Sequence, residues 1–429
     1  MSAQLIALAG ILLFFVLISL RMPIAYAMAG VGLLGMIVLS GTESAMQLIA
    51  GDVFRQFSTL SMAVIPLFIF MGQIVFHTGM STKLFHAAYT WFGAIPGGLA
   101  ATTLVSSALF SAVSGSNSAG TATIGAIVLP EMKKYGYHKR FASGTVAIGG
   151  TLGILIPPST ALIIVSVQAE QSIAALFRAA LLPGFLITAL LVITALLRVR
   201  ITPGLAPRGP GASWGERFRS LSGTVEIVVL FGVSVVGMLL GWFSPTEAAG
   251  VGAGGAVLIG VVTRQLTWEK FRRATLETLR ITAFVVMLIV SAVIFGRFLT
   301  ITRLPFDLAS WAADIPVAPI VVLLLVLGIY LLGGALMDGL GFLVLSIPLF
   351  YPLLAALGYD LVWATIIVVL VTTFGAVTPP VGVNAFIVAG ISRDVSIIDV
   401  FRGVLPYYIP YAVVIAAFIA WPGLITFAA

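Results

Sequence analysis

Two related ten-residue stretches decide the fold: TLGILIPPST at residues 151–160 and TFGAVTPPVG at residues 373–382. Each places a pair of adjacent prolines inside a long apolar run. Proline has no backbone N–H and clashes with the preceding helical turn, so each pair predicts a helix that breaks at that point. The prolines of the two stretches lie 222 positions apart, which indicates an internal repeat.

Further matches extend the repeat along the chain. At the same offset, Gly136-Tyr137 matches Gly358-Tyr359, and Thr151 matches Thr373. A stretch rich in Pro, Gly and Arg separates the two halves. We therefore predict a first repeat over residues 1–200, a cytoplasmic linker over 201–220 and a second repeat over 221–429.

The amino-acid composition indicates that much of the surface of this chain faces a membrane rather than water. Of its 429 residues, 60% are hydrophobic and only 9% are charged, whereas a soluble domain has about 25% charged residues. This predicts an all-α polytopic membrane protein. The sequence has no cysteine, which excludes disulfides and thiolate metal sites, and it has no Walker phosphate-binding motif.

The net charge of +7 is explained by membrane topology rather than by nucleic acid. With the N-terminus outside, eighteen of the 22 basic residues fall on the cytoplasmic side, as the positive-inside rule requires. This arrangement places both termini in the periplasm. It also gives the two halves opposite orientations, and inverted-topology repeats with broken helices are typical of secondary transporters.

Two apolar regions are interrupted by polar tips, which predicts re-entrant hairpins at about 97–132 and 316–357. The tips are SGSNSAG at 114–120 and MDGLG at 337–341. After the first tip only about ten residues precede Pro130, which is too short for a span. The amphipathic stretches Gln47–Ser58 and Trp268–Arg280 are expected to form interfacial arms.

The breaks and tips together predict binding sites. Unwound helix releases carbonyl oxygens that hydrocarbon cannot satisfy, and tip hydroxyls and amides complete neutral oxygen cages that suit sodium better than a proton. Helix N-termini at the tips favour an anionic substrate. Asp338 is expected either to cap the second arm of its hairpin or to contact ion or substrate. For Arg297, snorkelling to the outer interface is favoured over pairing with a carboxylate.

Four stretches resemble a known family, the large membrane subunits (DctM/SiaM type) of tripartite ATP-independent periplasmic (TRAP) transporters. They are SGSNSAGTATIGAIVLPEM (114–132), GTLGILIPPST (150–160), GGALMD (333–338) and FGAVTPPVGVNAF (374–386). The resemblance runs essentially from end to end. It implies an elevator-type importer driven by a sodium gradient, with no catalytic activity and no cofactor beyond the coupling ion.

The resemblance also implies the roles of particular residues. The first sodium site would comprise Ser111, Gly153, Ile156 and Pro158, and the second would comprise Gly334, Gly375, Thr378 and Val381. Substrate would bind near Ser114, Ser116, Asn117, Asp338 and Asn384. Related ion transporters have Ser-Asn-Thr at both tips, whereas this chain has Ser116-Asn117-Ser118 at one and Met337-Asp338-Gly339 at the other.

The partners implied by the resemblance are a small four-helix membrane subunit (DctQ type), encoded separately, and a periplasmic substrate-binding protein (DctP type). The substrate would be a small carboxylate such as a C4-dicarboxylate or a sugar acid, and the location would be the bacterial inner membrane.

Three alternative functions stay open at this point. One is a single-component sodium-coupled carboxylate or oxyanion transporter of the same fold. Another is a structural or channel subunit without coupling. The third is a polytopic intramembrane enzyme, which would require an intramembrane acid pair or a histidine cluster. The sequence has one tip aspartate and three scattered histidines, so the enzyme is disfavoured.

Overall fold

The computed structural model describes residues 2–114, 117–209, 211–392 and 394–426, with only the backbone described for 111–114 and 313. Regular structure in these ranges is helical, apart from one isolated bridge between Pro96 and Arg208. The prediction of an all-α polytopic fold is confirmed.

The first half consists of ten helices in the described residues. They are α1 (Ala3–Ser19), α2 (Ile24–Ser40), α3 (Thr42–Phe57), α4 (Val64–Thr78), α5 (Met80–Phe92), α6 (Gly98–Ser114), α7 (Asn117–Lys134), α8 (Lys139–Gly149), α9 (Thr160–Gln168) and α10 (Ile173–Ile201). A 3₁₀ turn at Leu60–Ala63 precedes α4, and another at Gly150–Ile154 follows α8.

One short helix, α11 (Trp214–Ser222), lies between the halves, and twelve more helices follow in the described residues. They are α12 (Val225–Phe231), α13 (Gly237–Leu239), α14 (Pro245–Val262), α15 (Trp268–Ile301), α16 (Leu304–Asp314), α17 (Pro319–Leu336), α18 (Gly339–Ala356), α19 (Leu361–Gly375), α20 (Val383–Ile391), α21 (Ile397–Val404), α22 (Tyr408–Ala420) and α23 (Gly423–Thr426). A π-helical turn at Gly232–Val236 joins α12 to α13.

Equivalent sequence motifs form equivalent local structures in the two halves. Gly136 and Gly358 both follow a hairpin helix with positive φ angles of 75° and 81°. The next residue in each case, Tyr137 or Tyr359, donates its N–H to a carbonyl five residues back, at 2.9 and 3.1 Å. This hydrogen bond defines a Schellman helix end, which favours glycine because L side chains are strained at positive φ.

The second helix after each break, α10 or α21, also begins in the same way in both halves. Ser172 caps α10 by accepting a hydrogen bond from the Ala175 N–H at 3.3 Å. Ser396 caps α21 by accepting one from the Asp399 N–H at 3.1 Å. The repeated Ser-Ile pair of the sequence is therefore a repeated N-cap.

Two of the predicted elements are longer in the structure than expected. The second arm of the first hairpin, α7, has 18 residues and continues through Pro130 to Lys134, but it is not among the helices of the described ranges that are long and apolar enough to cross a membrane. Its re-entry stays a prediction. Proline removes only one helical hydrogen bond, which a membrane helix tolerates where its surroundings re-satisfy the freed group. The predicted arm Trp268–Arg280 is the first part of the 34-residue helix α15, because no glycine or proline separates it from the apolar run that follows.

Seven helices in the described ranges are long and apolar enough to cross a membrane. Two of them, α17 and α18, are the arms of the predicted second hairpin. A hairpin arm in this protein therefore has the length of a full span, so helix length does not establish re-entry.

The two halves are joined tightly where α8 crosses α21. A Cβ atom added to Gly144 would lie 2.6 Å from the Gly403 Cα, and one added to Gly403 would lie 3.0 Å from the Gly144 Cα. Only the absence of both side chains allows this approach, as at small-residue crossings of membrane helices generally.

Candidate ion and substrate site at the hairpin tips

The two hairpin tips meet, although 220 residues separate them. The Ser118 hydroxyl donates to Asp338 Oδ2 at 3.3 Å. The other carboxylate oxygen of Asp338 accepts hydrogen bonds from the N–H groups of Leu340 at 3.1 Å and Gly341 at 3.4 Å. The expectation that Asp338 caps its hairpin arm is confirmed, while its contact with ion or substrate stays a prediction.

Three residues of the second predicted sodium site lie together. A Cβ atom added to Gly375 would lie 2.8 Å from the Gly334 carbonyl carbon, so the two backbones are in direct contact. The Thr378 N–H donates to the Gly375 carbonyl at 2.8 Å, and the Thr378 hydroxyl donates to the Phe374 carbonyl at 2.9 Å. The Thr378 hydroxyl oxygen keeps its lone pairs available for a cation, because its proton is already engaged.

The chain beyond the second proline pair is also tied to the hairpin. The Gly382 N–H, next to Val381, donates to the Ala335 carbonyl at 2.8 Å. Gly382 has a φ of 62°, which favours glycine at this turn. The peptide bonds Pro157–Pro158 and Pro379–Pro380 are both cis.

The first predicted sodium site lies where the 3₁₀ turn Gly150–Ile154 leads into the break. Gly153 and Pro158 are buried and Ile156 is partly buried. The helix that carries Ser111 and Ser114 packs against this turn, but the side chains of Ser111 and Ser114 and the whole of Ser116 lie outside the described residues.

Asn384 joins the two halves beneath the tips. Its Nδ2 donates to the Ala147 carbonyl at 3.4 Å, and its backbone N–H donates to the Ala376 carbonyl at 3.0 Å. A Cβ atom added to Gly150 would lie 3.0 Å from the Asn384 Nδ2 and 2.9 Å from the Thr121 Cβ. The first broken helix, the first hairpin and the second broken helix therefore converge at Gly150.

Several buried polar atoms in this region have no hydrogen-bond partner among the described residues. They are Asn117 Oδ1 and Nδ2, Asn384 Oδ1, and the hydroxyl oxygens of Ser106 and Ser107. An unpaired buried amide or hydroxyl group costs about 1–3 kcal/mol, so such groups usually face water, an ion or a ligand. Asn117 begins the second arm of the first hairpin, Ser107 lies beside Gly149 and Asn384 lies beside Gly150, so these groups mark the candidate site.

Three polar residues of this region, Ser106, Ser107 and Thr121, were missed by the sequence-based prediction. Thr121 lies one helical turn beyond Asn117 and donates to its carbonyl at 2.8 Å. Ser107 lies one turn before Ser111. Helical spacing of four residues from Asn117 and Ser111 was the signal that would have found Thr121 and Ser107, whereas Ser106 has no such relation to a predicted residue.

Arg297 contradicts the sequence-based expectation. It does not simply snorkel, because its Nε and Nη2 atoms donate to the two carboxylate oxygens of Asp52, each at 2.5 Å. Asp52 lies on α3 and also accepts from Arg55. The pairing with Asp52 was missed because no local sequence pattern indicates it. Asp52 is 245 residues away from Arg297 and lies on the buried face of an amphipathic helix.

This ion pair fixes the charge of Asp52. Burial raises the pKa of Asp52, but the hydrogen bonds and positive charges of Arg297 and Arg55 outweigh burial and hold the pKa below its ordinary value. The pair borders a cavity of about 840 Å³. Gln168, Gln171 and Pro348, from segments next to the first broken helix and the second hairpin, line the same cavity.

The chain is all-α and strongly apolar, its two polar hairpin tips are in contact, and its two broken helices lie around unpaired buried amides. These features define a polytopic membrane transport protein. The family model described as "Tripartite ATP-independent periplasmic transporter, DctM component" matches residues 11–424. The chain therefore belongs to the DctM family and is the large permease subunit of a TRAP transporter. This membership excludes the intramembrane enzyme.

Curated relatives with similar sequences are also TRAP permeases. The chain is 31% identical over 359 residues to the C4-dicarboxylate TRAP transporter large permease protein DctM of Pseudomonas aeruginosa, covering 83% of each chain. It is 30% identical over 409 residues to the sialic acid TRAP transporter large permease protein SiaM of Vibrio cholerae, covering 94% of this chain and 93% of that one. It is 32% identical over 390 residues to the isethionate TRAP transporter permease protein DctMQ of Oleidesulfovibrio alaskensis, covering 89% of this chain and 60% of that one.

Two solved structures share the fold at low sequence identity. The Alcanivorax borkumensis YdaH transporter has a TM-score of 0.65 and 14% identity, covering 91% of both chains. Neisseria gonorrhoeae MtrF has a TM-score of 0.60 and 15% identity, covering 90% of this chain and 85% of that one.

Proposed function

We propose that this large permease subunit carries out sodium-coupled, binding-protein-dependent import of an organic carboxylate by an elevator-type movement. The observation that carries the proposal is the set of unpaired buried amide and hydroxyl atoms at the touching hairpin tips and beside Gly149 and Gly150 of the first broken helix. Neutral oxygen atoms suit a hard monovalent cation, and helix N-termini at the tips favour an anion beside it.

The substrate class is proposed from chemistry and from the named relatives. C4-dicarboxylates, sialic acid and isethionate, which appear in the names of the three relatives, are all organic anions. For this chain we favour a C4-dicarboxylate or a sugar acid, bound near Asn117, Asp338 and Asn384. The sodium ions would bind at the two breaks, with Gly375 and Thr378 in the second site.

The division into inverted repeats at 1–200 and 221–429, joined by the linker 201–220, is part of the same proposal. So are the partners, a separately encoded DctQ-type subunit and a DctP-type binding protein, and the location in the bacterial inner membrane with both termini in the periplasm. The chain has no native cysteine, so single cysteines report its topology cleanly. A membrane-impermeant thiol reagent should label Ser2→Cys on intact cells and should leave Gly215→Cys in α11 unlabelled, and the opposite pattern would refute the orientation.

The decisive experiment is uptake into proteoliposomes containing this chain and the small subunit, with the binding protein added outside. A panel of C4-dicarboxylates, sialic acid and isethionate is tested with an inward sodium gradient and with sodium replaced by potassium. We expect uptake of one carboxylate that requires both sodium and the binding protein. Uptake that persists in potassium would refute sodium coupling, and full uptake without the binding protein would favour the single-component transporter.

A further inference from the structure

Three tyrosines near the start of α22 contact both broken helices. Tyr407 and Tyr411 are fully buried. The Tyr407 hydroxyl lies 2.8 Å from the Thr145 hydroxyl, and the Tyr411 hydroxyl lies 2.5 Å from the Thr151 hydroxyl. The Tyr408 hydroxyl donates to the Val377 carbonyl at 3.1 Å.

Tyr411 differs from Tyr407 because it contacts both broken helices, one through its hydroxyl group and the other through its ring. Its hydroxyl is hydrogen-bonded to the side chain of Thr151, and its ring lies against Phe374 near the end of α19. The Thr151 hydroxyl proton is engaged with the Ile148 carbonyl, so the phenol donates to Thr151. One buried tyrosine therefore connects the first broken helix to the second.

The ring of Tyr411 is held independently of its hydroxyl. It stacks on Phe374, with ring centroids 5.0 Å apart and an interplanar angle of 11°. Removing the hydroxyl group alone would leave the ring packed, so the connection between the helices can be deleted without creating a cavity.

The two residues that Tyr411 contacts lie close to the proposed cation ligands. Thr151 is two residues before Gly153, and Phe374 is next to Gly375. Thr151 also donates within its own helix, to the Ile148 carbonyl. A shift of Thr151 or Phe374 therefore moves the last helical turn before the break.

We infer that Tyr411 is a positioning residue that couples the two broken helices, so that sodium bound at one break favours sodium binding at the other. The sodium part of this inference rests on the proposed function. The physical requirement is a shared element that both sites bias, and Tyr411, with its hydroxyl on Thr151 and its ring on Phe374, is that element.

The first arm of the test is the sodium dependence of uptake by Tyr411→Phe in the reconstituted system. We expect the Hill coefficient for sodium to fall toward one and the half-saturating sodium concentration to rise about fivefold, the lower end of coupling between linked sites. Tyr407→Phe is the matched control, because it also deletes a buried tyrosine–threonine hydrogen bond but contacts only Thr145. It should keep the wild-type Hill coefficient, and an unchanged coefficient in Tyr411→Phe would overturn the inference.

The second arm needs no sodium and separates this inference from the proposed function. Thr151→Val and Phe374→Leu are combined in a double-mutant cycle of melting temperature, in the wild-type and Tyr411→Phe backgrounds. Non-additive shifts in the wild type that become additive in Tyr411→Phe support the connection, and additive shifts in both backgrounds overturn it. Loss of sodium dependence from wild-type uptake would refute the proposed function instead.

Discussion

Gly375→Ala should disrupt the proposed second sodium site by separating two helices that are in backbone contact. The new Cβ atom would lie 2.5 Å from the Leu331 carbonyl oxygen, 2.8 Å from the Ala335 nitrogen and 2.8 Å from the Gly334 carbonyl carbon. All three neighbours are backbone atoms, so no side chain can rotate away. Restoring an ordinary contact of 3.4 Å to Leu331 requires α17 and α19 to move apart by about 0.9 Å.

The magnitude follows from this geometry. Overpacking of this kind costs about 1–3 kcal/mol, which lowers the melting temperature by roughly 2–12 °C at about 2–4 °C per kcal/mol. The effect on sodium should be larger than the effect on stability. Oxygen ligands of a hard cation occupy a window of about 0.3 Å, so a displacement of 0.9 Å removes a ligand.

The assay combines thermal unfolding in detergent with sodium-dependent uptake, and Gly328→Ala on α17 is the control. Gly328 has open space around it, with no atom within 4 Å of an added Cβ. We expect Gly328→Ala to behave as wild type and Gly375→Ala to raise the half-saturating sodium concentration at least tenfold. Wild-type sodium dependence in Gly375→Ala, or equal damage by both variants, would refute the proposed packing at the site.

The other predictions concern the hairpin tips and the amphipathic helix α3. Thr378→Ala removes one proposed cation ligand and should weaken the sodium dependence of uptake without loss of expression; an unchanged sodium affinity would exclude Thr378 from the site. Asp338→Ala should cost about 1 kcal/mol of stability because it removes an N-cap, whereas Asp338→Asn keeps the cap, so failed uptake in Asp338→Asn would indicate a role for the charge. Asp52→Asn should lower the free energy of unfolding by about 1–2 kcal/mol. This loss is smaller than for a fully buried ion pair, because the Arg297 side chain is 32% exposed. The control Glu43→Gln, on the exposed face of α3, should leave the stability unchanged. Because the folded-state pKa of Asp52 is lowered from 3.8, the pair's contribution should be present at neutral pH and lost only as the pH falls below that value.

The repeat, the breaks and the tips were predictable from sequence because each depends on local backbone chemistry. A proline pair, a glycine at positive φ and a serine N-cap impose their structures wherever they occur. The equivalent glycines Gly136 and Gly358 are an example, since both end a helix in the same Schellman motif.

The long-range contacts were not predictable in this way. Asp52 and Arg297 pair across 245 residues, and Thr121 approaches Gly150 only because the hairpin packs against the broken helix. Such contacts depend on how helices pack, and a single sequence contains no pattern that pairs one face with another. The continuity of α15 was missed because a change in sequence was interpreted as the end of an element. The change from polar to apolar residues alters the surroundings of the helix but does not interrupt its hydrogen bonds.

The side-chain-free crossing of α8 and α21 has a consequence for the proposed elevator-type movement. With Gly144 and Gly403 in backbone contact, the crossing has no slack in which one helix could slide against the other. The segments of both halves that meet at this crossing should therefore move together as one rigid body. A pair of spin labels on α8 and α21 should report the same distance in every state of the cycle, while labels on α8 and α3 should not.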